Sequence, residues 1–136
     1  MQKAEFSIVS YKFDQVNINS LNHKNNELSL SFDTKGLYSQ SDSEYYLTFK
    51  ISVFNDNQND NPFVVVQCVG TFKFENVANI NEIPDFFYRN SIAILFPYVR
   101  AYVSLITTQA NVPGVILPTL NLSNLESDLR KNTTQK

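Results

Sequence analysis

Apolar and polar residues alternate through the first half of the chain, a pattern typical of β-strands that bury one face. The first of four such runs covers 6–18, and its apolar positions change parity between Ile8 and Val9, which predicts a β-bulge there. Three apolar residues alternate with serines in the second run: Leu28, Leu30 and Phe32. The polar residues that follow, from 34 to 43, are expected to form a loop.

The third and fourth runs are predicted to form a long antiparallel hairpin. The third covers 44–54, with apolar residues at every second position, and the fourth covers 63–75. The segment 55–62 between them is rich in Asn and Asp, which tolerate left-handed backbone and bond their own main chain in turns. Because no helical segment separates the four runs, we expect an antiparallel meander without parallel crossovers.

Helical spacing replaces this alternation in the second half of the chain. It extends over 85–108 with Pro97 inside it, so we expect a kink or two helical pieces that meet at the proline. The helix is apolar around much of its circumference, which predicts burial by a second surface as well, expected to be another subunit. A capping box over 123–126 predicts a second helix to about Arg130, and 131–136 is expected to be a frayed tail.

Four strands followed by two helices place the chain in the α+β class. The length of 136 residues suits a single domain, 1–136, and 43% hydrophobic residues are enough for a core. The formal net charge of -2 gives no basic footprint for nucleic acid. Because no apolar run of about 20 residues is present to span a membrane, and the chain starts without a signal-peptide pattern, we expect a cytoplasmic protein.

Residue types that support catalysis or metal binding are scarce. One Cys and one His exclude a cysteine-based zinc site and multi-histidine metal chemistry. His23 lies in a polar segment, where we interpret it as a solvated loop residue, and Cys68 lies inside a strand, where it is expected to behave as a small hydrophobe. Asp56 and Asp60 flank a turn that lacks the Gly and Glu of a calcium loop. The sequence therefore predicts a protein that is not an enzyme and has no metal site.

The segment 111–122 is apolar, although its prolines prevent regular structure and loops are normally polar. Its apolar residues are Val112, Val115, Ile116, Leu117, Leu120 and Leu122. The loop either folds down as a lid over the sheet or forms one wall of an apolar binding groove, and the residues alone leave both alternatives open.

The stretch 90–100, with the sequence NSIAILFPYVR, resembles the SecB family of export chaperones. The family signature there is Ile-Leu-Phe-Pro-Tyr-Ala-Arg, and this chain has Val99 in place of the Ala. The stretch 117–122, with the sequence LPTLNL, resembles the helix-connecting loop of the family in a rearranged and slightly longer form. By element order the resemblance covers essentially the whole chain.

The resemblance implies a four-stranded antiparallel sheet with two helices packed on one face, and a homotetramer built as a dimer of dimers. The long helix would form the oligomer interface through Phe96, Tyr98, Val99, Tyr102, Val103 and Ile106. Apolar grooves would hold unfolded polypeptides without ATP or any cofactor. The groove residues would be Leu28, Leu30, Phe32, Val112, Val115, Ile116, Leu117, Leu120 and Leu122.

Two functions follow from the resemblance. The first is an ATP-independent holdase that binds unfolded or nascent chains, for protein export or for a dedicated client. SecB proteins pass clients to the SecA motor partly through acidic residues on the first and fourth strands, and the matching positions here are the uncharged Gln15, Asn19 and Val65. The alternative is a SecB-like module that binds one specific partner, such as an antitoxin of a toxin–antitoxin system, without a general export function.

Overall fold

The computed structural model describes residues 3–25, 27–55, 61–118 and 122–136. Four long strands come first, then two helices and a short last strand. They are β1 (Glu5–Ile18), β2 (Leu28–Ser39), β3 (Glu44–Asn55), β4 (Val64–Glu75), α1 (Asp85–Gln109), α2 (Leu122–Lys131) and β5 (Thr133–Gln135). Single turns of 3-10 helix lie at Ser20–Asn22 and Ile80–Glu82. The α+β class is therefore confirmed.

The strands form one sheet in the order β1-β4-β3-β2-β5. The β1–β4, β3–β4 and β2–β3 pairs are antiparallel, whereas β5 is parallel to β2. The sheet is thus five-stranded and mixed, and the prediction of four antiparallel strands is wrong in this respect. The C-terminal tail is also not frayed, because the Gly36 N–H donates to the Asn132 carbonyl at 3.2 Å and the Lys136 N–H donates to the Tyr38 carbonyl at 2.8 Å.

The first strand contains the predicted bulge and a second one. Its register against β4 shifts between Ile8 and Ser10 and again between Phe13 and Gln15. After the first shift, Tyr11 and Phe13 point to the same side of the sheet as Ile8. The bulge therefore keeps the apolar side chains of β1 on one face although their positions in the sequence change parity.

The second strand is longer than predicted and continues to Ser39 instead of ending near residue 32. Burial still alternates through this polar stretch, because Thr34, Gly36 and Tyr38 all lie on the buried face. A side chain at Gly36 would collide with the hydroxyl and ring of Tyr45. The absence of a Cβ is therefore what allows β2 to pass under this tyrosine. Gly36, which was expected to lie in a loop, is instead a residue that the packing of the strand requires.

Helix α1 packs along one face of the sheet and runs through Pro97 as a single helix, so two separate helical pieces are not formed. Five of its apolar residues are fully buried: Phe87, Ile92, Leu95, Val99 and Val103. Leu125 and Leu129 of α2 belong to the same core. Within the described ranges α1 is the one helix that is long and apolar enough to cross a membrane, with a mean hydropathy of 1.3, and 33% of that apolar stretch is buried in the fold.

Candidate functional site

The loop that leaves α1 is anchored by alternate residues. Asn111 takes a positive φ of 60° where the helix ends, and the Val115 N–H donates to the Thr107 hydroxyl at 3.1 Å. Val115 and Leu117 are buried in the core of the chain, whereas Ile116 between them is 77% exposed. The loop therefore covers the core with one set of side chains and presents the other to solvent.

Ile116 and the outer side of α1 enclose a shallow apolar cavity of about 400 Å³. The residues that line it are Phe96, Pro97, Arg100, Ala101, Ser104 and Ile116. A backbone loop and a helix thus form two walls with little polar surface. Since exposed apolar area that lies in a concavity marks a site for apolar side chains, this cavity is the candidate binding site.

The groove residues predicted on β2 do not line the cavity. Leu28, Leu30 and Phe32 are half-buried and pack against the core. The Phe32 ring contacts the buried Phe49 at 6.1 Å between centroids, and Phe49 contacts Phe96 at 6.2 Å. This line of aromatic rings connects the predicted strand to the cavity wall on α1.

The remaining predicted groove residues have different positions. Val115 and Leu117 are core residues in this structure and offer no surface to a ligand, contrary to the sequence-based assignment, because the loop folds them inward. Val112 is half-buried and packs on the core. Leu120 lies outside the described residues, and Leu122 is the first residue of α2.

The predicted interface residues of α1 lie on different sides of the helix and differ in burial. Val99 and Val103 are fully buried against the sheet of their own chain, so they belong to the core and not to an interface in this structure. Phe96, Tyr102 and Ile106 are half-buried at the border. Tyr98 is 44% exposed and points away from the core.

Strand β1 extends this exposed side of α1, which sequence analysis missed. Tyr11 stacks on Tyr98 at 4.4 Å between ring centroids, and Phe13 stacks on Tyr102 at 3.9 Å. Val9 is more than half exposed next to them. The aromatic residues Tyr11 and Phe13 were the available signal, because the bulge before them keeps both on the face of the sheet that α1 covers.

Two polar contacts join the helices, and sequence analysis missed both. Arg130 of α2 lies 3.0 Å from the Asp85 carboxylate, and Arg89 of α1 donates to the Ser123 hydroxyl at 2.9 Å. Since α2 begins at Leu122, Ser123 lies inside the helix instead of capping it as predicted. Glu126 of α2 lies 3.8 Å from Arg89 of α1, so it contributes to the contact between the helices.

Potential nucleophiles are held in unreactive surroundings. Burial, together with the nearby Asp14, raises the pKa of the Cys68 thiol to about 12, so the thiolate form is scarce at neutral pH. His23 is half-buried with its ring 4.8 Å from that of Phe63, so it is not the fully solvated residue that we predicted. Within the described ranges no group of three or more His, Cys, Asp or Glu residues could hold a metal ion. Asp56 and Asp60 lie outside those ranges.

The positions that match the acidic docking residues of SecB lie near one end of the β1–β4 pair. Gln15 is exposed and pairs with Gln67, and Val65 pairs with Asn17. Asn19 follows β1, and its side-chain oxygen accepts a hydrogen bond from the Leu21 N–H at 3.1 Å. None of the three positions contributes a negative charge.

Comparisons with known proteins agree with this fold. The family model described as "Preprotein translocase subunit SecB" matches residues 9–132. The uncharacterized protein MJ0357 of Methanocaldococcus jannaschii is 34% identical over 116 residues, which cover 80% of this chain and 74% of that protein. The solved Mycobacterium tuberculosis SecB-like chaperone Rv1957, in complex with a ChAD peptide from the Rv1956 HigA1 antitoxin, superposes with a TM-score of 0.65 at 17% identity, over 85% of this chain and 90% of that chain.

The family match spans both the sheet and the two helices, and the structural match supports the same arrangement of elements. The stretch 90–100, which carries the family signature, lies in the centre of α1, where it supplies both the buried side and the cavity wall. On these grounds the chain belongs to the SecB family.

Proposed function

We propose that the protein is an ATP-independent holdase that binds unfolded or nascent polypeptides, with the cavity between Ile116 and α1 as its central binding site. The observation that carries this proposal is the 77% exposure of Ile116 directly beside an apolar concavity. A large aliphatic side chain costs free energy when it faces water, and burial under a client segment recovers that free energy. Membership in the SecB family supports the same function.

Apolar burial explains how such a site accepts many sequences. Each client side chain that enters the cavity contributes about 1.5–3 kcal/mol, before the cost of ordering the bound segment is subtracted. Apolar contacts have no directional requirement, so clients need apolar residues and not a defined sequence. Because the holdase binds only the unfolded chain, it lowers the population that can aggregate by mass action alone.

The proposed assembly is a homotetramer, a dimer of dimers, in the cytoplasm. Its support is the apolar surface that Tyr98 and Leu105 of α1 share with Val9, Tyr11 and Val16 of β1, where exposed fractions range from 42% to 57%. Solitary exposed apolar residues are ordinary, but a contiguous surface of stacked aromatic rings indicates a protein contact. The interface in this proposal is centred on Tyr98 and Tyr11 and leaves Val99 and Val103 in the core.

A second candidate function is the capture of one dedicated partner, such as an antitoxin. The related fold of Rv1957 was solved with a ChAD peptide of an antitoxin. The uncharged Gln15, Asn19 and Val65 favour this alternative over delivery to SecA, because an acidic docking surface is missing at these positions.

The deciding experiment measures native mass with and without an excess of chemically unfolded client, for the wild type and for Ile116→Ser. We expect a mass near four subunits that rises with client for the wild type, and about tenfold weaker capture for Ile116→Ser because an apolar contact is lost. Leu21→Ser is the matched control, since Leu21 is 86% exposed in a different part of the chain.

Each result separates the candidates. A tetramer that ignores several unrelated unfolded proteins but captures an antitoxin peptide supports the dedicated function. Equal loss of capture in Ile116→Ser and Leu21→Ser contradicts the assignment of the cavity. A monomer contradicts the proposed assembly.

A further inference from the structure

The face of the sheet that the helices leave open carries a group of lysines. Lys50 lies opposite Asp33 across the β2–β3 pair, and Lys35 lies opposite Thr48. Lys35 and Lys50 are therefore diagonal neighbours on one face, about 7–8 Å apart. Lys131 at the end of α2 approaches the same place around the β5 edge. We call this concavity of about 590 Å³ the lysine concavity, defined by Lys35, Lys50 and Lys131.

The lysine concavity is positive in a chain whose formal net charge is -2. Asp33 is the one acidic residue among the described residues that line it. Two of the three arginines are neutralised, because Arg89 and Arg130 form ion pairs at 3.0–3.8 Å. In the described part of the chain, none of the three lysines forms such a pair. The three lysine ammonium groups therefore repel one another, and a bound anion would reduce this repulsion.

We propose that the lysine concavity binds an extended, carboxylate-rich polypeptide segment. Side chains two residues apart in an extended chain are separated by about 6.6 Å, which matches the diagonal spacing of Lys35 and Lys50. Acidic residues at alternate positions would thus meet successive ammonium groups. A lysine ammonium is a compact charge with three rotatable donors, which suits single carboxylates that arrive in varied orientations.

Neutral hydrogen-bonding groups complete the lysine concavity. Thr48, Gln67 and Asn132 line it together with the lysines. The Gln67 side-chain amide donates to Asp14 at 3.2 Å, which holds that acidic group to the side. The concavity lies on the open face of the sheet, whereas Ile116 and the apolar cavity lie on the helix-covered face. An acidic segment and an unfolded client therefore have separate sites, so this inference does not depend on the holdase function.

The test measures the fluorescence anisotropy of a labelled peptide of alternating Glu and Ser at low ionic strength, where exposed charges are least screened. The double variant Lys35→Gln with Lys131→Gln is compared with Lys12→Gln and Lys73→Gln. All four lysines are exposed and each pair changes the net charge equally, but the second pair lies outside the lysine concavity. We expect about tenfold weaker binding for the first pair and less than about twofold for the second.

The outcomes are distinct. Equal weakening in both pairs, or no binding to the wild type, overturns the proposal, because only a general attraction to positive charge is then present. A single-stranded oligonucleotide that competes more strongly than the peptide also overturns it in favour of a phosphate ligand. Ile116→Ser is expected to leave peptide affinity unchanged, so failure of the holdase function and failure of this site are told apart. Circular dichroism and native mass check that each variant retains its fold.

Discussion

The two edges of the sheet are protected in different ways. The outer edge of β2 is covered by the chain itself, since β5 pairs with Gly36, Leu37 and Tyr38. In the described part of the chain, no strand pairs with the outer edge of β1, although β1 is the longest strand at 14 residues. Tyr11 of β1 is partly exposed and stacks on the exposed Tyr98 of α1. One edge is therefore covered in part within the subunit, and the other carries apolar side chains and open hydrogen-bonding groups.

This difference indicates where the proposed assembly would form its contact. An unpaired edge with apolar side chains is a template for contact with another chain, and natural proteins block such edges unless the contact is used. The bulge between Phe13 and Gln15 carries the charged Asp14, but the bulge between Ile8 and Ser10 carries the exposed, apolar Val9, and at the other end of the sheet β5 pairs with part of the edge. The comparison therefore favours β1 and the adjacent side of α1 as the surface between subunits, and the following substitutions test it.

The largest effect is expected from Tyr98→Asp. A carboxylate buried without a partner in a subunit interface costs more than about 3 kcal/mol, which is enough to dissociate the assembly. Sedimentation velocity at several concentrations measures the mass. Leu21→Asp places the same charge on another exposed apolar residue and is expected to keep the wild-type mass. An unchanged assembly in Tyr98→Asp would remove α1 from the interface.

Gly36→Ala tests the packing of β2 beneath Tyr45, at the edge that β5 covers. The added Cβ would collide with the Tyr45 ring, which is fully buried, so the ring or β2 must move. We expect a loss of about 2–3 kcal/mol in the free energy of unfolding, measured by urea denaturation. At Gly114 the nearest atom to an added Cβ is the Thr108 hydroxyl oxygen at 3.7 Å, so Gly114→Ala is the control and should change stability by less than about 0.5 kcal/mol.

Removal of 132–136 opens the second edge. The deletion removes the backbone bonds to Gly36 and Tyr38 and the hydroxyl partner of Tyr45. After the ordering entropy of the tail is recovered, we expect a loss of about 2 kcal/mol and increased light scattering on storage, because β2 becomes an unprotected edge. Deletion of Gln135 and Lys136 alone should have a smaller effect. Wild-type stability and solubility after the full deletion would show that β5 does not protect the sheet.

The smallest effect is expected from Thr133→Val. The Thr133 hydroxyl lies 2.5 Å from that of Tyr45 and donates to the Leu129 carbonyl at 2.7 Å. Its loss leaves a buried tyrosine hydroxyl without a partner and is expected to cost about 1 kcal/mol by thermal or urea unfolding. Thr134→Val, at an exposed neighbour, is the control. If both variants behave alike, β5 is held by its backbone alone.

Much of the fold could be predicted from local patterns. The parity change at Ile8 and Val9 correctly indicated a bulge, because period-two alternation records the direction of each side chain. The helix around Pro97 was located by its spacing, but whether the proline divides it depends on packing along the sheet, which holds α1 as one helix. The polar end of β2 was missed because Thr34 and Gly36 are buried by contacts with distant residues.

The candidate site was only partly predictable. The apolar composition of the loop marked the region, but Val115 and Ile116 look equivalent in the sequence. Their difference arises from the hydrogen bond between the Val115 N–H and Thr107, which turns one side chain inward and its neighbour outward. The contribution of Tyr11 to the exposed surface could likewise not be assigned before its stacking on Tyr98 was known.

The sequence by itself determined the order of the first four strands and the two helices and the family signature over 90–100, because these depend on periodicity and residue type within short segments. Only the tertiary structure decided which apolar residues remain exposed, that the tail closes the β2 edge, and that lysines from two strands and a helix meet on the open face. The physical reason is that exposure, edge pairing and charge clustering are set by contacts between residues far apart in the chain, about which local spacing carries no information.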